Sequence, residues 1–391
     1  MRSMNWAERR ARLALRHRLC APARTDDVLD IARSLLVLHA TDPATVYLSV
    51  AARSVHAVPA AVEKALYVDR TLLRMLAMRR TMFVAPTELV PVLQASTASG
   101  LAARQRATYA RMIERGSDVT DAPALFTRAE EAAHEALLAR GAATGAQLSA
   151  DVPLLRTQVD PAPGKSYSRP TNITTWVLVT LGCEGRIVRG RPNGSWTSSQ
   201  YVWSPVETWL PGGIEDIPAA EARAGLVRRW LRAFGPAPAA DLKWWTGWSA
   251  GDVKKALAVL DVTEVDLGGA TGIVLSDDLE PAPAPEPWAA LLPALDPTPM
   301  GWQERGWFLG AHGPRLFDRN GNIGPSVWWD GRIVGGWAQR KDGEIAVRLL
   351  EDVGAGAEAA VEREAARMAE WFGDVRAVPR FRTPLERELT A

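Results

Sequence analysis

Residues 220–275 read AEARAGLVRRWLRAFGPAPAADLKWWTGWSAGDVKKALAVLDVTEVDLGGATGIVL, and the order of patterns in this stretch decides the fold. The opening block places apolar residues at helical spacing and stops at Gly235, with Pro236 and Pro238 marking the turn. AADLKWWTGW and SAGDVKKALAVL supply a second and a third helix, and VTEVDLGGATGIVL supplies strands about a glycine turn. Helices followed by a short β element outline a winged helix-turn-helix.

The same order recurs upstream at a loose spacing. Over residues 125–212, TRAEEAAHEALLAR predicts a helix closed by Gly141, TGAQLSADVP a short second helix and NITTWVLVTL a third. EGRIVRGRPNGSWTSSQYVWSP then reads as a wing, with Asn193-Gly194 as a two-residue hairpin turn. Over residues 1–115, helical spacing covers 5–19 and then runs from Asp26 to near His39. Asp42 and Pro43 follow as N-cap and first-turn proline of PATVYLSVAARS. Further helices are expected over 60–67 and from Thr71 through LAMRR, leading into the β-rich TMFVAP.

The proline-rich stretch PAPAPEPWA at 281–289 reads as a stiff linker. Beyond it, Asn320-Gly321, Asp330-Gly331 and Asp342-Gly343 are hairpin signals between β-rich runs. The expected fold is therefore α+β. It has about three tandem winged helix-turn-helix units (1–115, 125–212, 218–280) and a C-terminal small antiparallel β-barrel (290–350). An amphipathic helix over 355–372 opens the closing segment 355–391, whose tail after Pro379 is expected to be loosely held.

Of the 391 residues, 47% are hydrophobic and 23% charged, the balance of an ordinary globular protein. The basic start, MRSMNWAERRARLALRHRLC, lacks the apolar core of a secretion signal, and no run reaches the roughly 18 apolar residues of a membrane span. A cytoplasmic protein without a membrane partner is expected. Cys20 and Cys183 form no ligand spacing and read as buried thiols, and the five histidines form none either, so no metal site is expected. Net charge is only +1, yet arginines gather locally, as at Arg70, Arg74, Arg79 and Arg80, and such stripes neutralise phosphates.

The phosphate-binding, dinucleotide, zinc-protease and hydrolase-elbow motifs are absent from the sequence. One segment stands out instead: Leu38-His39-Ala40-Thr41-Asp42-Pro43, three polar groups at a break between two apolar helices. In an extended break, His39 and Thr41 face the same way. The bland alternative makes Asp42 an N-cap, Thr41 a partner of nearby backbone and His39 a satisfied boundary residue. Candidate DNA contacts are Arg79 and Arg80 before the first β element, Gln303 and Arg305 after the MGW turn, and Arg319, Asn320 and Asn322 at a hairpin tip. The clustered tryptophans (Trp244, Trp245, Trp248; Trp328, Trp329) are expected to pack the core.

Five landmarks in order, LVLHATDPATVYLSVAARS, RTLLRMLAMRRTMFVAP, LVRRWLRAFGPAPAADLKWWTGW, LLPALDPTPMGWQERGWFL and NGNIGPSVWWDGRIVGGW, span nearly the whole chain. With them it resembles the winged-helix DNA-binding family of AlkZ and YcaQ type DNA glycosylases, which unhook interstrand crosslinks and excise alkylpurines. The resemblance implies three winged-helix units and a β-barrel arranged around double-stranded, damaged DNA, and hydrolysis of the N-glycosidic bond without metal or organic cofactor. In that family a Gln-aliphatic-Gln or Gln-aliphatic-Asp triplet precedes the Asp-Pro. Here the triplet is His39-Ala40-Thr41, so both functional positions are replaced.

The replacement is chemically workable. An N7-alkylated purine is already a good leaving group, and rupture of its bond leaves an oxocarbenium-like sugar. A neutral His39 can accept a proton from water, Thr41 can orient that water, and Asp42 can add negative potential. A charged imidazolium would oppose the transition state. The other reading is a non-catalytic winged-helix DNA-binding protein, a regulator or lesion sensor. With nothing resembling a coiled coil, a monomer is the expectation in either case.

Overall fold

The computed structural model describes residues 1–166 and 168–391. The chain divides into two units, one of Met1–Leu72, Val84–Pro86 and Ala224–Ala391, the other of Leu73–Phe83 and Thr87–Arg223. Both mix helices with small sheets, so the α+β expectation stands.

In the second unit, Asp121 caps helix Ala122–Arg140 and Gly141 ends it with φ 78°, a left-handed conformation that glycine adopts without a Cβ clash. Thr144 and Gln147 form a reciprocal capping box at the start of helix Gly145–Asp151. Helix Thr174–Glu184 follows, and strands Ala143–Thr144, Tyr201–Pro205 and Ile187–Pro192 pair in that order. Phe126, Leu137, Leu148, Val177 and Leu181 fill the core between them. Each such side chain contributes about 1.5–3 kcal/mol through its removal from water.

The wing differs from expectation at its turn. Strand Ile187–Pro192 ends before Asn193 and the next strand begins at Tyr201, so Asn193-Gly194 opens an eight-residue loop (193–200) and is no two-residue hairpin. The Asn193 amide instead donates to Gln200 O across the loop. A second correction concerns Thr71 onward, where Leu72–Leu76 is a strand and not a helix. It belongs to the sheet in which Met82–Pro86 lies between Leu38–His39 and Leu72–Leu76. All five residues of Leu72–Leu76 are buried, Arg74 among them, and a run buried on both faces fits a covered strand as well as a helix.

In the first unit, helices Ala239–Thr246 and Ala250–Ala258 and strands Val262–Asp266 and Thr271–Leu275 follow the order read from the sequence. The N-terminal Arg2–Ser3 adds a parallel strand beside Val262–Asp266, and Met4 enters the core with Val265, Leu267 and Val274.

The C-terminal β-rich region is an open meander and not the barrel expected. Strands Ala289–Leu292, Ser326–Trp329, Arg332–Gln339 and Ile345–Leu349 pair in chain order, leaving the first and last as edges. Helix Ala355–Phe372 packs on the sheet, with the Trp337 and Phe372 rings 6.4 Å apart, so a helix covers the apolar face that closure would otherwise bury. Two of the three turn signals join strands of this sheet, Asp342-Gly343 and Asp330-Gly331, where both residues of the latter are left-handed, the geometry of a type I′ hairpin, whereas Asn320-Gly321 turns between the single bridged residues Phe317 and Ile323. The tail is the last correction. Thr383 caps helix Pro384–Leu389, whose Leu385 and Leu389 are buried, so the segment after Pro379 is anchored.

Candidate functional site

The break before Pro43 is built by backbone geometry. Helix Val28–Ser34 ends short of His39 because Leu36 adopts φ 64°, which no right-handed helix can continue through. Leu38–His39 is then a short strand, and Asp42 starts helix Pro43–Ala51. Leu38, Ala40 and Asp42 are buried, whereas His39 and Thr41 are half-exposed. The alternation sends Ala40 into the core and the imidazole and hydroxyl toward solvent.

The Thr41 amide donates to His39 Nδ1 at 3.4 Å, a long contact that the tautomer with its proton on Nε2 can accept. Asp42 has no free carboxylate oxygen. Oδ1 accepts the Ala44 amide at 3.1 Å and Oδ2 accepts the Arg380 amide at 2.8 Å. Burial pushes its carboxyl above the usual range, against these two amides and the Arg380 charge.

Below the break lies a polar network with no solvent exposure. All nine residues of helix Pro43–Ala51 are buried. Thr45 Oγ1 donates to Ala294 O at 2.8 Å and Ser49 Oγ to Asp296 Oδ2 at 2.7 Å. Arg53 reaches both Asp296 oxygens, at 2.8 and 2.6 Å, and Thr298 Oγ1 at 2.7 Å. Thr298 in turn contacts His17 Nδ1 at 2.9 Å, while His17 Nε2 donates to Ala233 O at 3.1 Å, which fixes His17 as a neutral Nε2–H tautomer. Burial, reinforced by the Arg53 charge, pushes His17 down to about 3. Burial raises the Asp296 carboxyl, but Arg53, the Thr298 amide and Ser49 outweigh it and hold the group below the usual range.

The other predicted positions fall in several places. Arg79 and Arg80 belong to the second unit, at the turn between strands Leu72–Leu76 and Met82–Pro86. Both are left-handed, with φ 54° and 60°, and both are exposed, with Arg80 Nη1 on Gln105 Oε1 at 2.8 Å. Holding two arginines in this conformation costs backbone energy and fixes where they point. In the first unit, Gln303 is exposed and its amide donates to Asp241 Oδ1. The Arg305 guanidinium lies over both Trp244 and Phe317, 5.0 Å from each ring centroid. The 318–322 turn is organised by Asp318, which accepts the Asn320 amide and both the amide and side-chain N–H of Asn322. Arg319 and Asn320 project from it, exposed, whereas the Asn322 side chain is held inward. Trp245 and Trp328 are core residues, as read from the sequence.

Sequence reasoning missed the Arg53–Asp296 network and the contact of Arg380 with Asp42. Asp296 lies in LLPALDPTPMGW, and nothing local signals its partner. Among the described residues no group of three or more His, Cys, Asp and Glu is placed to hold a metal ion, and both cysteines are free and buried. No described helix is long and apolar enough to cross a membrane.

This scaffold has a solved counterpart. It matches the structure of the Streptomyces sahachiroi DNA glycosylase AlkZ with a TM-score of 0.74 and 20% sequence identity, over 96% of this chain and 98% of that one. A search of curated protein sequences finds no significant match. The family described as DNA glycosylase AlkZ-like matches residues 32–371. The chain therefore belongs to the AlkZ-like DNA glycosylase family, whose function is base excision in DNA repair.

Proposed function

We propose that the protein hydrolyses the N-glycosidic bond of N7-alkylated or crosslinked purines in duplex DNA, with His39 and Thr41 at the reacting face. The observation that carries this is their placement side by side, half-exposed, on a break whose Ala40 and Asp42 are buried. In the reaction the C1′–N9 bond breaks, its electron pair leaves with the base, and the cationic alkylpurine departs neutral. Water adds to C1′ and loses a proton.

With Nδ1 accepting from Thr41, His39 offers an Nε2–H donor, which suits it to orienting water or the lesion. Service as a base at Nε2 requires the other tautomer and loss of that contact. The contact is long, so the change is cheap. Asp42, with both oxygens engaged, is better read as a positioning residue that holds the break against helix Pro43–Ala51 than as a charge aimed at the sugar. A monomer without metal or organic cofactor is sufficient for this chemistry.

For DNA contact, the exposed Arg79, Arg80, Gln303, Arg319 and Asn320 support a backbone or groove role. Arg305 and Asn322 serve their own turns through ring stacking and Asp318. The three groups of helices with a three-stranded sheet would act as winged-helix modules, in segments 1–115, 125–212 and 218–280, the sheet of the last completed by Arg2–Ser3.

The test is incubation with duplex DNA carrying 7-methylguanine or a nitrogen-mustard crosslink, followed by alkali. Strand breaks at the lesion that are lost in His39→Ala support the reading. Tight lesion binding without abasic sites overturns it, and favours the lesion-sensor alternative that the replaced glutamines raise.

A further inference from the structure

The segment between helices Ala355–Phe372 and Pro384–Leu389 crosses the first unit as a strap. It is pinned at several points. Gln339 Nε2 donates to Val375 O at 3.0 Å and Gln339 Oε1 accepts the Ala377 amide at 2.9 Å. The Arg376 guanidinium binds Lys341 O, Asp342 O and Gly373 O. The Arg380 amide binds Asp42, and Arg382 binds Glu386 and Thr390. Ala377, Val378 and Pro379 close with Asp42, Thr45 and Trp337 around a space of only about 20 Å³.

Of the three arginines in the strap, two are used as anchors. Arg380 is not. Its backbone is fixed one hydrogen bond from the residue after Thr41, yet its side chain is exposed. Among the described residues its guanidinium makes no hydrogen bond and no ion pair; it lies 5.8 Å over Phe381, and its charge acts on the Asp42 carboxyl. A cation held on a rigid base with its donors unspent is a phosphate ligand in waiting. Val378 beside it, 66% exposed, adds an apolar surface on the same strap.

We propose that the strap is one wall of the reacting site and that Arg380 binds the DNA phosphodiester flanking the nucleotide presented to His39 and Thr41. This placement rests on the glycosylase reading of that face, while the phosphate contact can be measured apart from catalysis. Arg380 then acts through position: it holds the backbone while its own amide steadies Asp42.

The experiment measures binding of the full-length protein to an undamaged duplex over a series of salt concentrations, for the parent, Arg380→Ala and Arg380→Lys. Arg380→Ala should weaken binding several-fold at low salt and reduce the slope of log K against log salt by about 1, with Arg380→Lys retaining both. The exposed side chain predicts an unchanged Tm. Equal affinity and slope in parent and Arg380→Ala would overturn the proposal, and so would an equal loss of affinity in both variants with the slope preserved, the mark of a purely structural role. A 7-methylguanine duplex with one flanking phosphate replaced by a neutral methylphosphonate locates the contact. There the Arg380→Ala penalty should disappear, and a penalty that persists for every flanking position would remove Arg380 from the site. Because affinity is read independently of base release, a parent that binds but excises nothing would defeat the catalytic reading and leave the phosphate result standing.

Discussion

The Arg53 guanidinium and the Asp296 carboxylate meet with neither side chain exposed to solvent, Nη1 and Nη2 each on one carboxylate oxygen at 2.8 and 2.6 Å. Fully buried pairs of this kind hold geometry more than they add stability, because desolvation of both ions offsets most of their attraction. Removing one partner is different. Arg53→Met leaves Asp296 as an uncompensated buried carboxylate, and it should cost about 3–5 kcal/mol, read as a lowered urea midpoint at constant slope. A loss below about 1 kcal/mol would mean that the network does not hold helix Pro43–Ala51 in place.

His17 gives the fold an acid limit. Its pKa is pushed down to about 3 in the folded chain, from an ordinary 6.5. Between these values the unfolded chain binds a proton that the native chain refuses, so the stabilising effect is complete above about 6.5 and fades as pH falls toward 3. Urea unfolding at stepped pH should show this loss in the parent and a shallower one in His17→Gln, which keeps a donor for Ala233 O without titrating.

Asp42 behaves in the opposite sense. Burial raises its folded pKa, so its ionisation opposes folding as pH rises from the ordinary carboxyl value through the raised one. Asp42→Asn removes that cost and keeps one acceptor, for the Ala44 amide, but turns an N–H toward the Arg380 N–H, so its Tm at neutral pH should fall, by less than that of Asp42→Ala. Asp42→Ala removes the cap and the acceptor for Arg380 together, and should lose about 1–2 kcal/mol. An Asp42→Asn as destabilised as Asp42→Ala would show that the Arg380 contact, and not the cap, carries the effect.

The role of His39 separates by substitution. If the ring orients water or base through Nε2–H, His39→Gln retains a donor and should keep most single-turnover excision of 7-methylguanine, whereas His39→Ala loses at least tenfold. Equal loss in both variants would assign His39 as a general base instead, and a base should also show a falling limb in the acid pH–rate profile.

Much of the local architecture is legible from residue types. Asp42-Pro43 predicts the start of the central helix, Gly141 the end of another, and Asp330-Gly331 a tight hairpin, because each depends on sterics and hydrogen bonds within a few residues. That His39 and Thr41 share a face follows from the same local reasoning. Leu72–Leu76 escapes it. Five consecutive buried residues carry no period, and only pairing with Met82–Pro86 makes them a strand. Asn193-Gly194 carries a hairpin signal that the flanking strands do not close on.

By itself the sequence determined most of the helices and strands, several of the caps between them, the α+β class and the family resemblance. Tertiary structure alone decided that the last sheet stays open under a helix, that Arg53 pairs with Asp296 across 243 residues, and that the tail returns across 338 residues to hold Asp42. The division has a physical cause. Turn and cap energies are set by neighbours along the chain, whereas a buried ion pair or a docked strap is chosen by which distant surfaces exclude water together, and no local spacing encodes that choice.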